Sequence, residues 1–168
     1  AGNLYVGCNS ISNTSGLQRY TKATATWTNI TPTGLDPRVP DIELSSTGRL
    51  HITCGYYNTA AASSGYRYTD NPATVTSSTW TSPVTTFTTQ YNVDLASNGN
   101  TLYALPSNSA FEVSTIFKST NGGANWAATT TTPAFTSGQA WYCMAVAVDP
   151  NNANNVIVGS LDCYKTTN

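Results

Sequence analysis

Charged side chains are scarce in this chain, and their scarcity argues against two classes of partner. Only 9% of the 168 residues are charged, and the formal net charge is −1. Nucleic-acid binding needs a basic face that neutralises phosphates, and attachment to anionic lipid needs a polybasic segment. Long apolar runs are missing as well, so no stretch could cross a bilayer. We therefore expect no nucleic-acid partner and no membrane insertion.

Residues that hold metals or cofactors are also few. The chain has one histidine, His51, and four cysteines that lack the paired CxxC spacing of a zinc site. We therefore expect no metal and no cofactor. Four cysteines among so few charges favour an oxidising compartment, which predicts a secreted or cell-surface protein. The first residues lead straight into a strand-like segment without a signal peptide, as in a mature or trimmed chain.

What the chain does contain is β-forming and turn-forming residues. There are 10 Tyr, 4 Trp and 4 Phe, enough to bury a core, and the polar residues are mostly Thr, Ser and Asn. Thr and aromatic residues favour strands, whereas Asn, Ser and Gly favour turns, and strong helix formers are scarce. The composition predicts an all-β fold.

Short strand-like segments recur along the chain with a long period. The starts of the first series lie 46, 52 and 54 residues apart, and its members are 4–8, 50–54, 102–105 and 156–159. A second series follows it at 19–21, 67–69, 116–119 and 163–166, a third consists of Trp27, Trp80 and Trp126, and a fourth precedes the first at 42–44, 93–95 and 146–148. Four strands recurring every ~45–55 residues are typical of one β-propeller blade. A parallel solenoid has a shorter period, and an immunoglobulin-like sandwich does not repeat internally.

One turn carries a more specific resemblance. Ser119, Asn121, Gly123 and Trp126 match the Asp-box pattern Ser-x-Asp-x-Gly-x-x-Trp, with Asn in the Asp position. The segment resembles the Asp-box, or bacterial neuraminidase, repeat family of β-propellers. Membership would make it a tight turn between the third and fourth strands of a blade, with Trp packed between blades. Degenerate copies occur at 21–27 and 69–80, and 165–168 resembles the start of a fourth.

The strand count predicts a partial propeller of four-stranded antiparallel blades. We expect an incomplete blade at 1–31, complete blades at 38–87 and 90–132, and an incomplete blade at 141–168. An unclosed propeller would expose long edge strands, which natural proteins avoid. We therefore expect the remainder of the propeller to come from further chain or from a partner.

The loops expected on one face of the propeller hold the predicted binding residues. Aromatic side chains beside polar groups suit a sugar, because a flat ring covers the C–H face. The predicted ligand-binding residues are Arg38, Tyr56, Tyr57, Trp141 and Tyr142, with Asp36, Phe111, Glu112 and Phe135 nearby. The alternative is that these aromatic residues pack the loops onto the blades.

The four cysteines fall near the same face. Cys8 and Cys54 occupy equivalent positions in neighbouring blades, whereas Cys143 and Cys163 begin the first and third strands of one blade. We predict disulfide bridges Cys8–Cys54 and Cys143–Cys163, the second requiring a bend because alternate strands lie far apart. Other pairings, or four reduced thiols, remain open.

A second resemblance concerns residues 36–40. Arg38-Val39-Pro40 is similar to the Arg-Ile-Pro segment that opens a sialidase catalytic domain, in which the arginine binds the sialic acid carboxylate. The loop 55–65, where a sialidase acid/base Asp is expected, has no carboxylate. Asp41 and Glu43 share a strand face but are a weak signal for a glycosidase pair. Arg38 as a loop anchor is the alternative, and we assign no catalytic residue.

The sequence therefore predicts a non-catalytic extracellular or cell-surface propeller module that binds glycan or protein through the face with the long loops. Part of a sialidase-like glycoside hydrolase is the first alternative. A purely structural module of a large surface protein is the second.

Overall fold

The computed structural model describes residues 2–8, 15–57, 60–87 and 91–166. Within them, short strands and one 3-10 helix at Ala61–Ser63 make up the regular structure. The strands are β1 (Asn3–Gly7), β2 (Leu17–Thr21), β3 (Thr26–Asn29), β4 (Ile42–Leu44), β5 (Leu50–Cys54), β6 (Gly65–Thr69), β7 (Val93–Asn98), β8 (Thr101–Pro106), β9 (Phe117–Ser119), β10 (Ala127–Ala128), β11 (Ala145–Asp149), β12 (Asn152–Gly159) and β13 (Cys163–Thr166).

The strands form four antiparallel sheets that follow one another along the chain. Blade 1 is β1-β2-β3, blade 2 is β4-β5-β6, blade 3 is β7-β8-β9-β10, and blade 4 is β11-β12-β13. In blade 2 a single bridge between Tyr68 and Thr81 adds the beginning of a fourth strand. Consecutive strands pair as hairpins because Gly and Asn occupy the turns between them, as at Gly48 (φ +85°). The predicted all-β fold of antiparallel blades is confirmed.

Hydrophobic clusters fill the space between successive blades. Leu17 and Ile30 of blade 1 pack with Leu50 and Ile52 of blade 2. The same arrangement continues between blades 2 and 3, around Tyr66, Tyr68, Leu102 and Trp126, and between blades 3 and 4, around Tyr103, Leu105, Val156 and Val158. Because side chains alternate between the two faces of a strand, each internal blade contributes one set to each neighbour.

The Asp-box-like turn connects β9 to β10 and contacts the preceding blade. The Ser119 hydroxyl accepts a hydrogen bond from Gly123 N–H (2.9 Å), and the Asn121 side chain accepts one from Asn125 N–H (2.9 Å). Gly123 has a φ of +81° and lies so close to Tyr66 that a Cβ there would stand 1.8 Å from the tyrosine oxygen. The turn therefore tolerates only glycine at this position.

A buried polar pair lies beside that contact. His51 and Tyr66 are almost completely buried, and His51 Nδ1 is 2.7 Å from the Tyr66 hydroxyl. Arg49 lies over the Tyr68 ring at 4.3 Å, donates to the Gly122 carbonyl (2.7 Å) and forms an ion pair with Asp70. These contacts connect the second and third strands of blade 2 to the turn of blade 3.

The repeated tryptophans differ in their surroundings. Trp126 is 6% exposed and packs edge-on against Tyr66 and Phe87, and the Trp80 indole N–H donates to the Ile30 carbonyl of blade 1 (2.7 Å). Trp27, by contrast, is 55% exposed. It lies on the face of blade 1 that points away from blade 2, where its ring contacts Tyr20 of its own blade (5.0 Å). Packing between blades, expected for all three, therefore holds for Trp80 and Trp126.

The predicted bridge Cys8–Cys54 is not formed, because Cys54 carries a free thiol. Val39 N–H donates to the Cys8 carbonyl, and Gly55 N–H donates to the Arg38 carbonyl, both at 2.9 Å. The segment Arg38-Val39 thus lies between the two cysteines. Backbones separated by an intervening segment are ~9–10 Å apart, which exceeds the ~7 Å that a disulfide spans between Cα atoms.

The predicted bridge Cys143–Cys163 is not formed either, and both residues carry free thiols. Cys163 pairs with Gly159 of β12, which pairs in turn with Ala145 of β11. Cys143 precedes β11, so β12 separates the two cysteines, and the bend that the prediction required is not present.

The described residues contain neither a membrane-spanning helix nor a cluster of metal-ligating side chains. No helix there is long and apolar enough to span a membrane. No group of three or more His, Cys, Asp or Glu side chains there could hold a metal ion.

Candidate functional site

Aromatic side chains from three blades meet at the face of the long loops. Tyr57, in the loop after β5, stacks on Phe111 of the loop after β8, with ring centres 5.6 Å apart and planes 17° apart. Its ring also contacts Trp141, which precedes β11 (5.3 Å), and Tyr91, which precedes β7 (6.2 Å). We call Tyr56, Tyr57, Tyr91, Phe111, Trp141 and Tyr142 the aromatic cluster. It joins segments of blades 2, 3 and 4.

Trp141 and Tyr142 form the more exposed side of the aromatic cluster. Their ring centres are 4.2 Å apart, and Trp141 also contacts Tyr56 (6.3 Å). Tyr142 is 53% exposed, and its hydroxyl bonds the side chain of Gln139. An exposed aromatic ring fixed by a neighbouring ring and a polar contact can cover an apolar surface of a ligand with little loss of side-chain entropy.

Phe111 has an unusual backbone conformation. Its φ is +60°, a region that bulky side chains rarely adopt. Phe111 N–H donates to the Asn108 carbonyl (3.0 Å), and the Phe111 carbonyl accepts from Ala140 N–H (2.9 Å). The Asn108 side chain also accepts from the Glu112 N–H (3.1 Å). These bonds hold Phe111 in its strained conformation, with its ring against Tyr57. Strained backbone conformations of this kind are concentrated at functional sites.

Arg38 is placed next to the aromatic cluster but binds within the protein. Its Nε and Nη2 donate to the two carboxylate oxygens of Asp36 at 2.7 and 2.5 Å. Nη1 donates to the Tyr57 carbonyl at 3.0 Å. The hydrogen bond to Asp36 raises the pKa of Arg38 above its usual value. The guanidinium therefore anchors the loop that carries Tyr57. A ligand carboxylate could form a bidentate pair with Arg38 Nε and Nη2 only by displacing Asp36.

Glu112, in the loop after β8, is also bound internally. Glu112 accepts a hydrogen bond from Gly138 N–H (2.6 Å) and another from the Thr136 hydroxyl. It thereby ties the loop after β8 to the loop before β11. Phe135 in the latter loop is fully buried and packs in the core between blades 3 and 4. Phe135 supports the loop rather than facing a ligand.

A second group of carboxylates lies along the first strands of blades 2 and 3. Asp41 accepts from Leu95 N–H (2.5 Å), and Glu43 accepts from the N–H (3.0 Å) and hydroxyl (2.6 Å) of Ser97. Burial is the main reason that the pKa of Asp41 is raised to about 6 and that of Asp94 to about 7. The neighbouring carboxylate of Glu43 also raises the pKa of Asp41, and that of Asp41 also raises the pKa of Asp94. Asp41 and Glu43 thus connect blade 2 to blade 3, as structural residues would.

The structure brings the four predicted aromatic side chains, Tyr56, Tyr57, Trp141 and Tyr142, into contact with one another. Arg38, the fifth predicted residue, donates to the Tyr57 carbonyl. Tyr91 was missed by sequence reasoning. It directly precedes β7, and since loops between blades open onto this same face, its position before a first strand was the available signal.

Three solved structures with a similar fold are each larger than this chain. An ancestral GH74 enzyme matches 99% of the chain with a TM-score of 0.65 and 19% identity, and the chain covers 22% of it. The GH74 xyloglucanase from Xanthomonas campestris matches 97% with a TM-score of 0.64 and 17% identity, and 25% of it is covered. A variant of the NanB sialidase from Streptococcus pneumoniae matches 87% with a TM-score of 0.50 and 10% identity, and 26% of it is covered.

At the sequence level, no protein-family profile and no curated protein matches the chain. At such low identities the structural likeness concerns the fold alone. The chain spans about a quarter of the length of these glycoside hydrolase propellers. It is therefore a partial β-propeller relative to them.

Proposed function

We propose that this chain is a non-catalytic β-propeller module, extracellular or on the cell surface, that binds a glycan through the aromatic cluster. Tyr56, Tyr57, Trp141 and Tyr142 would contact the ligand. The observation that carries the proposal is the convergence of rings from three blades on one face, with Tyr142 more than half exposed beside Trp141.

The chemistry of the aromatic cluster suits a sugar ring. Pyranose C–H groups pack on flat aromatic faces, and polar groups at the edge accept and donate to hydroxyls. Gln139 and the Tyr142 hydroxyl supply such polar atoms at the exposed side. The ring contacts and the strained Phe111 backbone fix the cluster in advance, which lowers the entropy lost on binding.

Electrostatics favour a neutral glycan over a sialylated one. Arg38 is held by Asp36, and Glu112 is held by Gly138 and Thr136, so these two charges beside the aromatic cluster are satisfied within the protein. A sialic acid carboxylate would compete with Asp36 for the same guanidinium. The role we propose for Arg38 is to position Tyr57 through its carbonyl.

The placement outside the cytoplasm rests on composition. The chain is poor in charge and rich in Thr, Ser and Asn, as suits a secreted or surface module. Partners would be a glycan or a surface protein at the loop face, together with the remainder of the propeller from further chain or from another chain.

A sialidase-like or other glycoside hydrolase is the second candidate, and the raised pKa values of Asp41 and Asp94 are the observation that favours it. A carboxyl that keeps its proton near neutral pH can act as a general acid. Asp41, however, accepts two backbone hydrogen bonds, from Ile42 and Leu95, which suits a structural role.

The test is a binding assay on immobilised neutral and sialylated oligosaccharides, with affinities measured by calorimetry. We expect binding to a neutral glycan, and we expect Trp141→Ala and Tyr142→Ala to weaken it by tenfold or more, as loss of a central aromatic contact does. Trp27→Ala is the matched control, since Trp27 is exposed but lies away from this face. Equal losses in all three variants would contradict the proposal.

The same samples separate the alternatives. Release of reducing sugar would support a hydrolase, and Asp94→Asn should then abolish it. Preference for sialylated glycans would refute the argument from Arg38. No binding and no release would leave the purely structural role.

A further inference from the structure

The last strand of blade 1 ends in a short sequence that the aromatic cluster does not use. Asn29-Ile30-Thr31 has the form Asn-x-Thr, which accepts an N-linked sugar in secreted proteins. A second such sequence, Asn13-Thr14-Ser15, begins outside the described residues. Three-residue patterns of this kind also arise by chance, so the surroundings of Asn29 decide whether it can carry a sugar.

The side chain of Asn29 is held where β3 ends and the next loop begins. Its Oδ1 accepts a hydrogen bond from Thr31 N–H (2.9 Å), which makes an Asx-turn within the Asn-x-Thr sequence. Its Nδ2 donates to the Ser15 carbonyl (3.0 Å). A side-chain amide has two hydrogens on its nitrogen, and a sugar replaces one of them. The hydrogen bond to Ser15 can therefore be kept after modification.

Asn29 is exposed, whereas the residue after it is not. All four residues of β3 are exposed, and Ile30 is completely buried in the core between blades 1 and 2. In its sheet β3 pairs only with β2, so its other side is the outer edge of the blade. A sugar on Asn29 would extend from this edge without displacing any core side chain.

The backbone register identifies the residue of blade 3 that corresponds to Asn29. Ile30, which follows Asn29, donates its N–H to the carbonyl of the first residue of β2 (2.9 Å). Thr129, which follows Ala128, donates its N–H to the carbonyl of the residue before β9 at the same distance. Ala128 therefore occupies the position of Asn29.

This position is exposed even where a neighbouring blade covers the strand. Ala128 is exposed although blade 2 packs against Trp126, two residues earlier on the same side. Ser82 is exposed in the same way, two residues after Trp80, whose indole contacts blade 1. Asn29 likewise lies two residues after the tryptophan of its blade. A further blade beside blade 1 would therefore leave Asn29 open to solvent.

We propose that Asn29 is a site of N-linked glycosylation. The donor is an oligosaccharide activated as a lipid-linked diphosphate. A bond forms between Asn29 Nδ2 and the anomeric carbon, while the bond from that carbon to the diphosphate oxygen breaks. The diphosphate leaves with the electron pair, and Nδ2 gives up one proton to a base of the transferase. The site rests on the extracellular placement proposed above, and it is independent of glycan binding by the aromatic cluster.

The test is a peptide map of the whole chain, secreted behind an added leader from a eukaryotic host that glycosylates asparagine. Cleavage by trypsin after Lys22 and Arg38 leaves Asn29 as the only asparagine of peptide 23–38. We expect mass spectrometry to find this peptide with an added oligosaccharide, and peptide N-glycosidase to convert the modified Asn29 to aspartate. Because Pro32 restricts Thr31 to extended conformations, we expect modification of a fraction of the molecules.

Three variants assign the sugar to its residue. Asn29→Gln keeps a side-chain amide but destroys the acceptor sequence, so peptide 23–38 should lose the oligosaccharide. Asn13→Gln should leave that peptide modified. Asn151 is an exposed asparagine outside any acceptor sequence, and Asn151→Gln is the matched control. The map of the unaltered chain decides the question even if Asn29→Gln is not secreted.

The proposal is overturned if peptide 23–38 is unmodified while a glycoprotein secreted by the same cells is modified. It is overturned as well if the added mass resists the N-glycosidase or persists in Asn29→Gln, because the sugar would then be on a threonine. Oligosaccharide binding is measured on the same samples. Its absence would refute the function proposed for the aromatic cluster and leave the assignment of Asn29 intact.

Discussion

Gly123 offers a direct test of how blade 3 packs against blade 2. Replacing it by alanine imposes two costs. The first is backbone strain, since a φ of +81° costs a non-glycine residue about 1–2 kcal/mol. The second is a steric clash, because the new Cβ would stand 1.8 Å from the Tyr66 hydroxyl oxygen and 2.7 Å from the ring carbon that bears it. Relieving such a clash in a packed interface costs about 1–3 kcal/mol more.

Gly48 separates the two costs. Its φ is +85°, and nothing lies within 4 Å of a Cβ added there. Gly48→Ala therefore has the strain without the clash, and we expect it to lower the free energy of unfolding by about 1–2 kcal/mol. Gly123→Ala should lower it by about 2–5 kcal/mol. Urea unfolding at constant m-value measures both.

A double-mutant cycle with Tyr66→Phe tests the named contact. Alone, Tyr66→Phe removes the hydrogen bond to His51 and should cost about 1 kcal/mol. In the Gly123→Ala background it also removes the atom nearest to the added methyl group, so the two substitutions should be less destabilising together than their sum. Equal effects of Gly48→Ala and Gly123→Ala, or strict additivity in the cycle, would refute this account of the interface.

Three further predictions concern buried ionisable groups. Burial raises the pKa of Asp94 to about 7, above the unfolded value of about 3.9. The free energy of unfolding therefore falls as the pH rises from 4 to 7, because the folded state holds the proton more tightly than the unfolded state. Asp94→Asn should therefore raise the melting temperature at pH 8 and change it little at pH 4; an unchanged melting temperature at pH 8 would contradict this. Burial lowers the pKa of His51 to about 4, so NMR titration of this single histidine should show a neutral ring down to pH 5. Because that pKa lies below the unfolded value of about 6.5, His51 costs stability as pH falls from 6.5 to 4, and protonation near pH 6.5 would argue against burial. Burial raises the pKa of Cys54 to about 12, whereas Cys163 is exposed. Iodoacetamide should label Cys163 in the folded protein and leave Cys54 unmodified, and prompt labelling of Cys54 would contradict its burial.

The repeat and the class of fold could be predicted from the sequence because they depend on local patterns. Alternating apolar residues and turn-forming Gly and Asn specify hairpins within each ~50-residue unit. The turn at Ser119–Trp126 is equally local, since Asn121 bonds the backbone of Asn125 only four residues away. No long-range information is needed for such elements.

The disulfide prediction was wrong because it depended on how distant parts of the chain pack, which local patterns do not specify. Equivalent positions in neighbouring blades suggested that Cys8 and Cys54 are close, but the chain between them, Arg38-Val39, runs through the gap. The course of a connecting segment depends on how two blades pack. Repeat spacing contains no information about it.

The sequence by itself determined that this protein is built from antiparallel blades, that aromatic loops gather on one face, and that a tryptophan belongs between blades. Only the tertiary structure decided which rings meet, because Tyr57, Tyr91, Phe111 and Trp141 come from segments up to 84 residues apart. It also decided that Arg38 binds Asp36 and the Tyr57 carbonyl rather than facing solvent. The partner of a side chain depends on the angle and distance between blades, and these are set by the packing of the clusters between them.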